Sequence, residues 1–300
     1  MSKKIIDLSK YNVVKNWGML KENCDGLILR CGYRGYGSGK IVIDAKFPEF
    51  AEKCREYGIP FGVYFMSQAI TEQEGREEAC YAVSLANQYG ATFPVFIDSE
   101  DGDGTSRKVR ADGLSKSKRT KVAQAFCEAV TATGRTAGVY ASESWFNSNL
   151  NFVELKQYFI WVAKYGKNTG GKCTSVTLSK CDMHQYTSKG IVPGISGKAD
   201  ISICYTELGQ HDSAATAPET GTHIQKNYKP GTAYFVHCSN LRVRKKTVID
   251  SGNILYKIGN TAVLNKATYR DPDGRIWMNI SGTSREEWVC ADTGIKSLVY

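Results

Sequence analysis

Phe93-Pro94-Val95-Phe96-Ile97-Asp98-Ser99-Glu100 is an apolar stretch that ends in two acids. It is too short, and too rich in β-branched and aromatic residues, to make a helix, so it reads as a buried strand. Seven further runs of this kind flank it: Ile5–Ser9, Gly26–Tyr33, Pro60–Ser67, Thr136–Ser142, Tyr158–Tyr165, Asp182–Thr187 and Ala199–Tyr205. Helical patterns separate the first of them. Phe47, Phe50, Ala51, Cys54 and Tyr57 recur at helical spacing and stop at Gly58. Thr71 and Glu74 form a capping-box pair ahead of Ala79, Val83 and Ala86. Val122, Phe126, Ala129 and Val130 make a third helix, ended by Gly134, and weaker patterns cover Val14–Asn23 and Ser144–Leu155.

Eight strands with helices after only the first five predict an α/β protein built on a parallel sheet. The count favours closure into a TIM-like (β/α)5(β)3 barrel. An open doubly wound sheet is the alternative. A nucleotide-binding version of it has no support, because no G-x-G-x-x-G or G-x-x-x-x-G-K-[ST] occurs.

The acids then acquire a position. Asp7 ends the first strand, Asp98 and Glu100 end the fourth, and Asp200 lies near the last. A barrel enzyme builds its chemistry at the C-terminal mouth of its strands. Asp98 and Glu100, two residues apart, point to one face with Cα atoms roughly 6–7 Å apart. Close carboxylates raise one another's proton affinity, which leaves a general acid beside a negative charge, the equipment for cleaving a glycosidic bond. The competing reading is that these are solvated caps of strand ends. Aromatic residues Tyr33, Tyr36, Tyr64, Trp161, Tyr165 and Tyr186 fall at or beyond strand ends, where sugar rings could stack. Asp101-Gly-Asp-Gly-Thr resembles part of a calcium loop, but its Gly and terminal Glu are misplaced.

Composition excludes other classes. Of the 300 residues 42% are hydrophobic and 23% charged, so the chain is neither disordered nor a membrane protein. The Ile5-Ile6 run before Asp7 is too short for a secretory signal, which predicts synthesis as a soluble cytoplasmic protein. Ten scattered cysteines without a C-x-x-C pair read as buried thiols rather than a disulfide framework or zinc site. The four histidines show no metal-binding spacing, and no cofactor or metal is expected.

Leu208–Gly221 lacks apolar periodicity and reads as a linker. The expected organisation is a catalytic barrel over 1–207, a linker over 208–222 and a small all-β domain over 223–300. Strand candidates in the last are Gly231–Cys238, Asn240–Arg244, Asn253–Ile258, Ala262–Lys266, Ile276–Ile280 and Glu287–Ala291. The net charge is +9, and from Thr222 onward 12 Lys and Arg oppose 6 Asp and Glu. Most of the excess thus belongs to the small domain, which suits an anchor on something anionic. Nucleic acid is disfavoured: there is no RNP-like motif, and no basic-aromatic cluster beyond Arg242–Lys246.

Eight segments, in order, resemble the glycoside hydrolase family 25 lysozymes: IIDLSKYN (5–12), DGLILRCGY (25–33), DAKF (44–47), YGIPFGVYF (57–65), FPVFIDSE (93–100), FIWVAKYG (159–166), HQYTS (184–188) and VPGISGKADISI (192–203). The resemblance implies hydrolysis of the β-1,4 bond between N-acetylmuramic acid and N-acetylglucosamine in peptidoglycan. Glu100 matches the general acid, Asp98 the neighbouring carboxylate, and Asp7 and Asp200 the flanking acids. Asp98 would act as nucleophile or, the favoured reading, orient the substrate's own acetamido group. Tyr33, Asp44, Tyr64, Trp161, Gln185 and Tyr186 are the expected substrate contacts. His184 departs from the family, which more often has an aromatic there. A chitinase-type strand would need acids where Phe93 and Phe96 stand.

Segments NLRVR (240–244), ILYKIGNTAVL (254–264), DGRIWMNI (273–280) and EEWVCAD (286–292) resemble a bacterial SH3-like wall-binding domain, with a departure around Lys245–Ser251. Arg242, Arg244, Trp277 and Trp288 are its expected wall contacts, the partners being peptidoglycan crosslinks or anionic wall polymers. The architecture resembles that of phage endolysins, which reach the wall after release from the host cytoplasm, without membrane insertion of their own. A wall-binding protein that keeps the barrel as an inert scaffold is the competing class.

Overall fold

The computed structural model describes residues 2–102, 109–171, 175–209, 228–231, 233–236, 241–247, 249, 251–258, 262–280 and 286–292. Most of the calcium-like segment and of the expected linker lies outside them. The chain divides into two compact units, Met1–Ala215 and Thr216–Tyr300.

The first unit is a closed eight-stranded barrel. Its strands are β1 (Lys3–Leu8), β2 (Gly26–Arg34), β3 (Phe61–Met66), β4 (Val95–Asp98), β5 (Ala137–Ser142), β6 (Phe159–Ala163), β7 (Met183–Gly190) and β8 (Ala199–Cys204). They follow one another round the sheet, and β1 closes it by pairing with both β2 and β8. Helices stand after the first five strands as expected: α1 (Trp17–Glu22), α2 (Phe47–Tyr57), α3 (Glu72–Tyr89), α4 (Lys116–Thr131) and, after β5, the short α5 (Glu143–Ser148) and α6 (Phe152–Leu155).

The sheet is mixed rather than wholly parallel. β8 runs antiparallel to both neighbours. Only residues 191–198 link β7 to β8, which allows a hairpin but not the long crossover that a parallel return demands.

Local signals explain the helix boundaries. Thr71 Oγ1 accepts from the Glu74 amide at 3.2 Å, and Glu74 Oε2 accepts from the Ile70 amide at 2.8 Å, so the capping pair works in both directions. Gly58 ends α2 with φ 63°, a left-handed conformation that glycine takes without steric cost.

Two cores result. One lies between sheet and helices, with Leu27, Leu29, Val63, Phe65, Ile97 and Val139 meeting Phe50, Cys54, Ala79 and Phe126. The other fills the lower lumen with Ile5, Ile28, Phe93, Phe96, Phe159, Trp161 and Met183. Gly138 is required there: a Cβ on it would stand 2.3 Å from the Phe96 ring. Leu208 also packs into this core, so the barrel reaches past the boundary expected at 207. Of the described cysteines, Cys31, Cys54, Cys127, Cys204 and Cys290 are buried.

The second unit is all-β. A five-stranded antiparallel sheet contains β10 (Leu241–Arg244), β11 (Ile254–Ile258), β13 (Ala267–Arg270), β14 (Ile276–Asn279) and β15 (Trp288–Asp292). A separate pair joins β9 (Ala233–Phe235) to β12 (Ala262–Leu264). Leu241, Val243, Val263, Ile276, Met278 and Val289 form its core. Strand β13 was not among the expected ones, because Ala-Thr-Tyr-Arg is mostly exposed and carries no apolar alternation. It is made by the Asp271–Arg275 turn, where Gly274 takes φ 79° and Asp271 Oδ1 accepts from the Arg275 amide at 2.9 Å.

Candidate active site

Period-two alternation turns the lumen from apolar to ionisable within two residues. Ile5 gives way to Asp7, Ile28 to Arg30, Phe96 to Asp98 and Met183 to Gln185. Asp200 arrives by another route. Because β8 is antiparallel, the beginning of that strand lies level with the end of β1, and Asp200 stands directly across from Asp7. All four expected acids therefore gather at the same mouth.

Asp7 and Asp200 face one another across the β1–β8 pair, and the Asp200 charge raises the proton affinity of Asp7. Gln185 Nε2 donates to Asp7 Oδ2 at 2.8 Å. Gln185 Oε1 in turn accepts from the Tyr140 and Tyr165 hydroxyls at 2.7 and 2.6 Å. That fixes the amide's orientation and, with it, Asp7. Asp98 is the last residue of β4, two positions short of the expected strand end, and its buried Oδ1 has no hydrogen-bond partner. Ser99 continues the ladder to the Tyr140 carbonyl at 3.0 Å and turns its hydroxyl to Trp145 Nε1 at 3.3 Å. Asp98 and Glu100 flank it, and the Glu100 charge raises the proton affinity of Asp98.

Every acid here is pushed towards its protonated form. Burial, then the nearby Asp200 and Asp101, raise Glu100 to about 7. Burial followed by Glu100 raises Asp98, and burial followed by Asp200 raises Asp7. Burial raises Asp200 as well. The opposing influence on Asp98 and Glu100 is Arg30, whose positive charge favours their ionised forms.

Arg30 was not singled out from the sequence, although an Arg two residues after Ile28 in an apolar strand is the available signal. Its Nε donates to Asp44 Oδ2 at 2.6 Å. Asp44 is wholly buried and held by the Lys10 and Lys46 amides at 3.1 and 2.9 Å. Expected among the substrate contacts, it is enclosed by protein groups and positions Arg30. Tyr140, Trp145 and the role of Gln185 were likewise not foreseen.

The aromatics divide. Tyr64 stands among the acids, and Tyr33 lies beside Arg30, 5.8 Å from its guanidinium carbon to the ring centre. Tyr36 also faces the acids: burial, then Glu100 and Asp98, raise its hydroxyl to about 12. Its loop is anchored by Arg34, which binds Glu78 at 2.7 Å and the Gly39 carbonyl at 2.8 Å. Trp161, expected to stack on sugar, is only 1% exposed and donates to Ser202 Oγ at 3.0 Å. It packs the lumen. Tyr186, also expected among the substrate contacts, is turned outward by the alternation from Gln185 and packs on the helix-side core. His184 shares that outward face, with its Nε2 2.9 Å from the Lys164 carbonyl, so the aromatic position it replaces lies away from the lumen.

Two of the four expected wall contacts in the second unit are structural. Trp277 is fully buried and donates to Asp271 Oδ2 at 2.8 Å. Arg244 is 4% exposed and donates to Asn253 Oδ1 at 3.2 Å. Arg242 is exposed and Trp288 half-buried.

No protein of curated description matches the chain in sequence. Among solved structures, the catalytic domain of endolysin ply40 from bacteriophage P40 of Listeria monocytogenes matches with TM-score 0.57 at 25% identity, over 69% of this chain and 95% of that one. The modular autolysin LytC of Streptococcus pneumoniae also gives 0.57 at 25%, covering 68% of this chain and 47% of its own. The spore cortex lytic enzyme SleM of Clostridium perfringens shares the fold over 96% of this chain and 97% of that one, with TM-score 0.58 at 18% identity. The family model of the glycosyl hydrolases family 25 matches residues 6–195, a span that runs from within β1 to just before β8 and holds Asp7, Asp98 and Glu100. The chain belongs to glycosyl hydrolase family 25.

Proposed function

We propose that this glycoside hydrolase is a peptidoglycan-cleaving N-acetylmuramidase, acting between N-acetylmuramic acid and N-acetylglucosamine. The observation that carries the mechanism is a pair of unlike carboxyl groups: Glu100, raised to about 7, beside a buried Asp98 whose Oδ1 lacks a partner. Glu100 gives its proton to the glycosidic oxygen as the bond to C1 breaks. The acetamido carbonyl of the same sugar closes on C1, while Asp98 receives the acetamido N–H and stabilises the positive charge. Water then opens the cyclic intermediate, with the Glu100 carboxylate accepting its proton. Asp7 and Asp200, both pushed towards their protonated forms, keep the wall of the site from accumulating further charge. Direct attack by Asp98 on C1 is the alternative course.

The second unit, in this reading, is an SH3-like wall anchor that binds peptide crosslinks or anionic polymers through Arg242 and Trp288. The likeness of the barrel to an endolysin and to an autolysin supports a wall substrate, and an endolysin released from the host cytoplasm fits the two-module plan. Mass spectrometry of digested walls tests the reaction. New N-acetylmuramic acid reducing ends are expected; new N-acetylglucosamine ends would indicate a glucosaminidase, and intact walls a non-catalytic wall-binding scaffold. Residues 222–300 fused to a fluorescent reporter should decorate susceptible cells, and failure at both low and moderate salt would reject the anchor.

A further inference from the structure

Arg30 combines three properties that a purely structural arginine does not need. Its residue is only 7% exposed, yet its Nη2 is buried without a hydrogen-bond partner. The remainder of the guanidinium is immobilised, by Asp44 at Nε and by the ring of Tyr11 5.1 Å and of Tyr33 5.8 Å from its central carbon. Asp98 lies within its electrostatic reach, but among the described residues no ion pair joins them, and Asp98 Oδ1 is unpartnered too. The acid-bearing end of the barrel therefore holds a buried donor and a buried acceptor, each unsatisfied at the cost that buried polar groups carry. A secondary amide matches this arrangement, since it presents its N–H and C=O on opposite edges.

We propose that Arg30 is a substrate-binding and specificity-determining residue, donating Nη2–H to the carbonyl oxygen of the acetamido group whose N–H meets Asp98. Asp44 is its positioning residue. Selection for N-acetylated sugar thus comes from the carbonyl edge of the amide: an N-deacetylated glycan still brings an N–H to Asp98 but leaves Arg30 Nη2 unpaired. This inference rests on the muramidase reading given above.

Binding in a Glu100→Gln background tests it without turnover. The probes are a β-1,4 tetrasaccharide of alternating N-acetylglucosamine and N-acetylmuramic acid and its N-deacetylated counterpart, titrated by calorimetry. Arg30→Lys keeps the charge but removes the fork. It should weaken the acetylated probe about 10- to 100-fold, the range of one charge-assisted hydrogen bond, and change the deacetylated probe less than about threefold. Asp44→Asn should reproduce the selective loss and guards against a folding defect peculiar to Arg30→Lys. Equal losses for both probes, or no loss for either, would overturn the assignment. If the parent cleaves no wall and Glu100→Gln alone binds neither probe, the muramidase reading itself has failed.

Discussion

The floor and the mouth of the barrel lumen are two residues apart along each strand and chemically opposite. At the floor, Phe96, Phe159, Trp161 and Met183 fill the space, with ring pairs such as Phe96 and Trp161 at 5.2 Å. At the mouth, Asp7, Asp98, Glu100 and Asp200 oppose one another around Arg30, and all four acids resist ionising. The floor stabilises the fold; the mouth destabilises it in the ionised state and gains reactivity from that. One period-two pattern supplies both, so a substitution's effect depends on its height in the barrel more than on its strand.

The sharpest separation comes from Glu100→Gln. It should lower wall hydrolysis about 10³-fold, measured by muropeptide release, while leaving the fold intact. Phe96→Ala should do the reverse: a loss of about 3–5 kcal/mol in denaturant unfolding of the barrel, from the ring contacts and the cavity it leaves. If Phe96→Ala costs less than about 1 kcal/mol, the floor is not the stabilising layer. The pH response should be smaller but signed. Glu100 binds its proton more tightly folded than unfolded, so its contribution to stability declines as pH rises from about 4.5 to about 7. The buried aspartates act in the same direction. The unfolding temperature of the parent should therefore fall across that window, and Glu100→Gln should flatten the slope; a steeper slope in the variant would contradict the assignment. Hydrolysis should fall above about pH 7 as the acid ionises. The smallest effect is expected of Trp145→Phe, which removes the donor to Ser99 Oγ but keeps an aromatic ring under the Arg119 guanidinium, whose carbon lies 4.9 Å from the Trp145 ring centre. A turnover loss of about 3- to 10-fold is expected, with the high-pH limb moving lower as Glu100 loosens into water.

The barrel and its acids were legible in the sequence because closure leaves a strong local signature, short apolar runs that stop at carboxylates. Height within the lumen was not legible. Trp161 and Tyr64 are both aromatics in strands, and only the stagger of the strands puts one in the packing and the other among the acids. Arg242 and Arg244 make the same point in the small unit. Two apart, they should share a face, but the pairing of β10 with β11 shifts register between Val243 and Arg244. That irregularity turns Arg244 inward to Asn253, and a bulge has no dependable sequence mark. Trp277 was misread because an indole suits a binding face and a core equally well, and the deciding partner, Asp271, lies six residues away. Arg30 escaped because a single charge in an apolar strand resembles ordinary alternation.

The reversed last strand has a consequence for synthesis. A nascent chain that has exposed everything before Ala199 holds seven strands, three of the four acids and an unpaired edge along Lys3–Leu8. Closure of the sheet and arrival of Asp200 are one event, the docking of Ala199–Cys204 between the first strand and the seventh. Activity should therefore be all-or-none in chain length. A truncation a few residues short of the closing strand yields no weakened enzyme, and a ribosome delivers a competent site only when the whole barrel has been made.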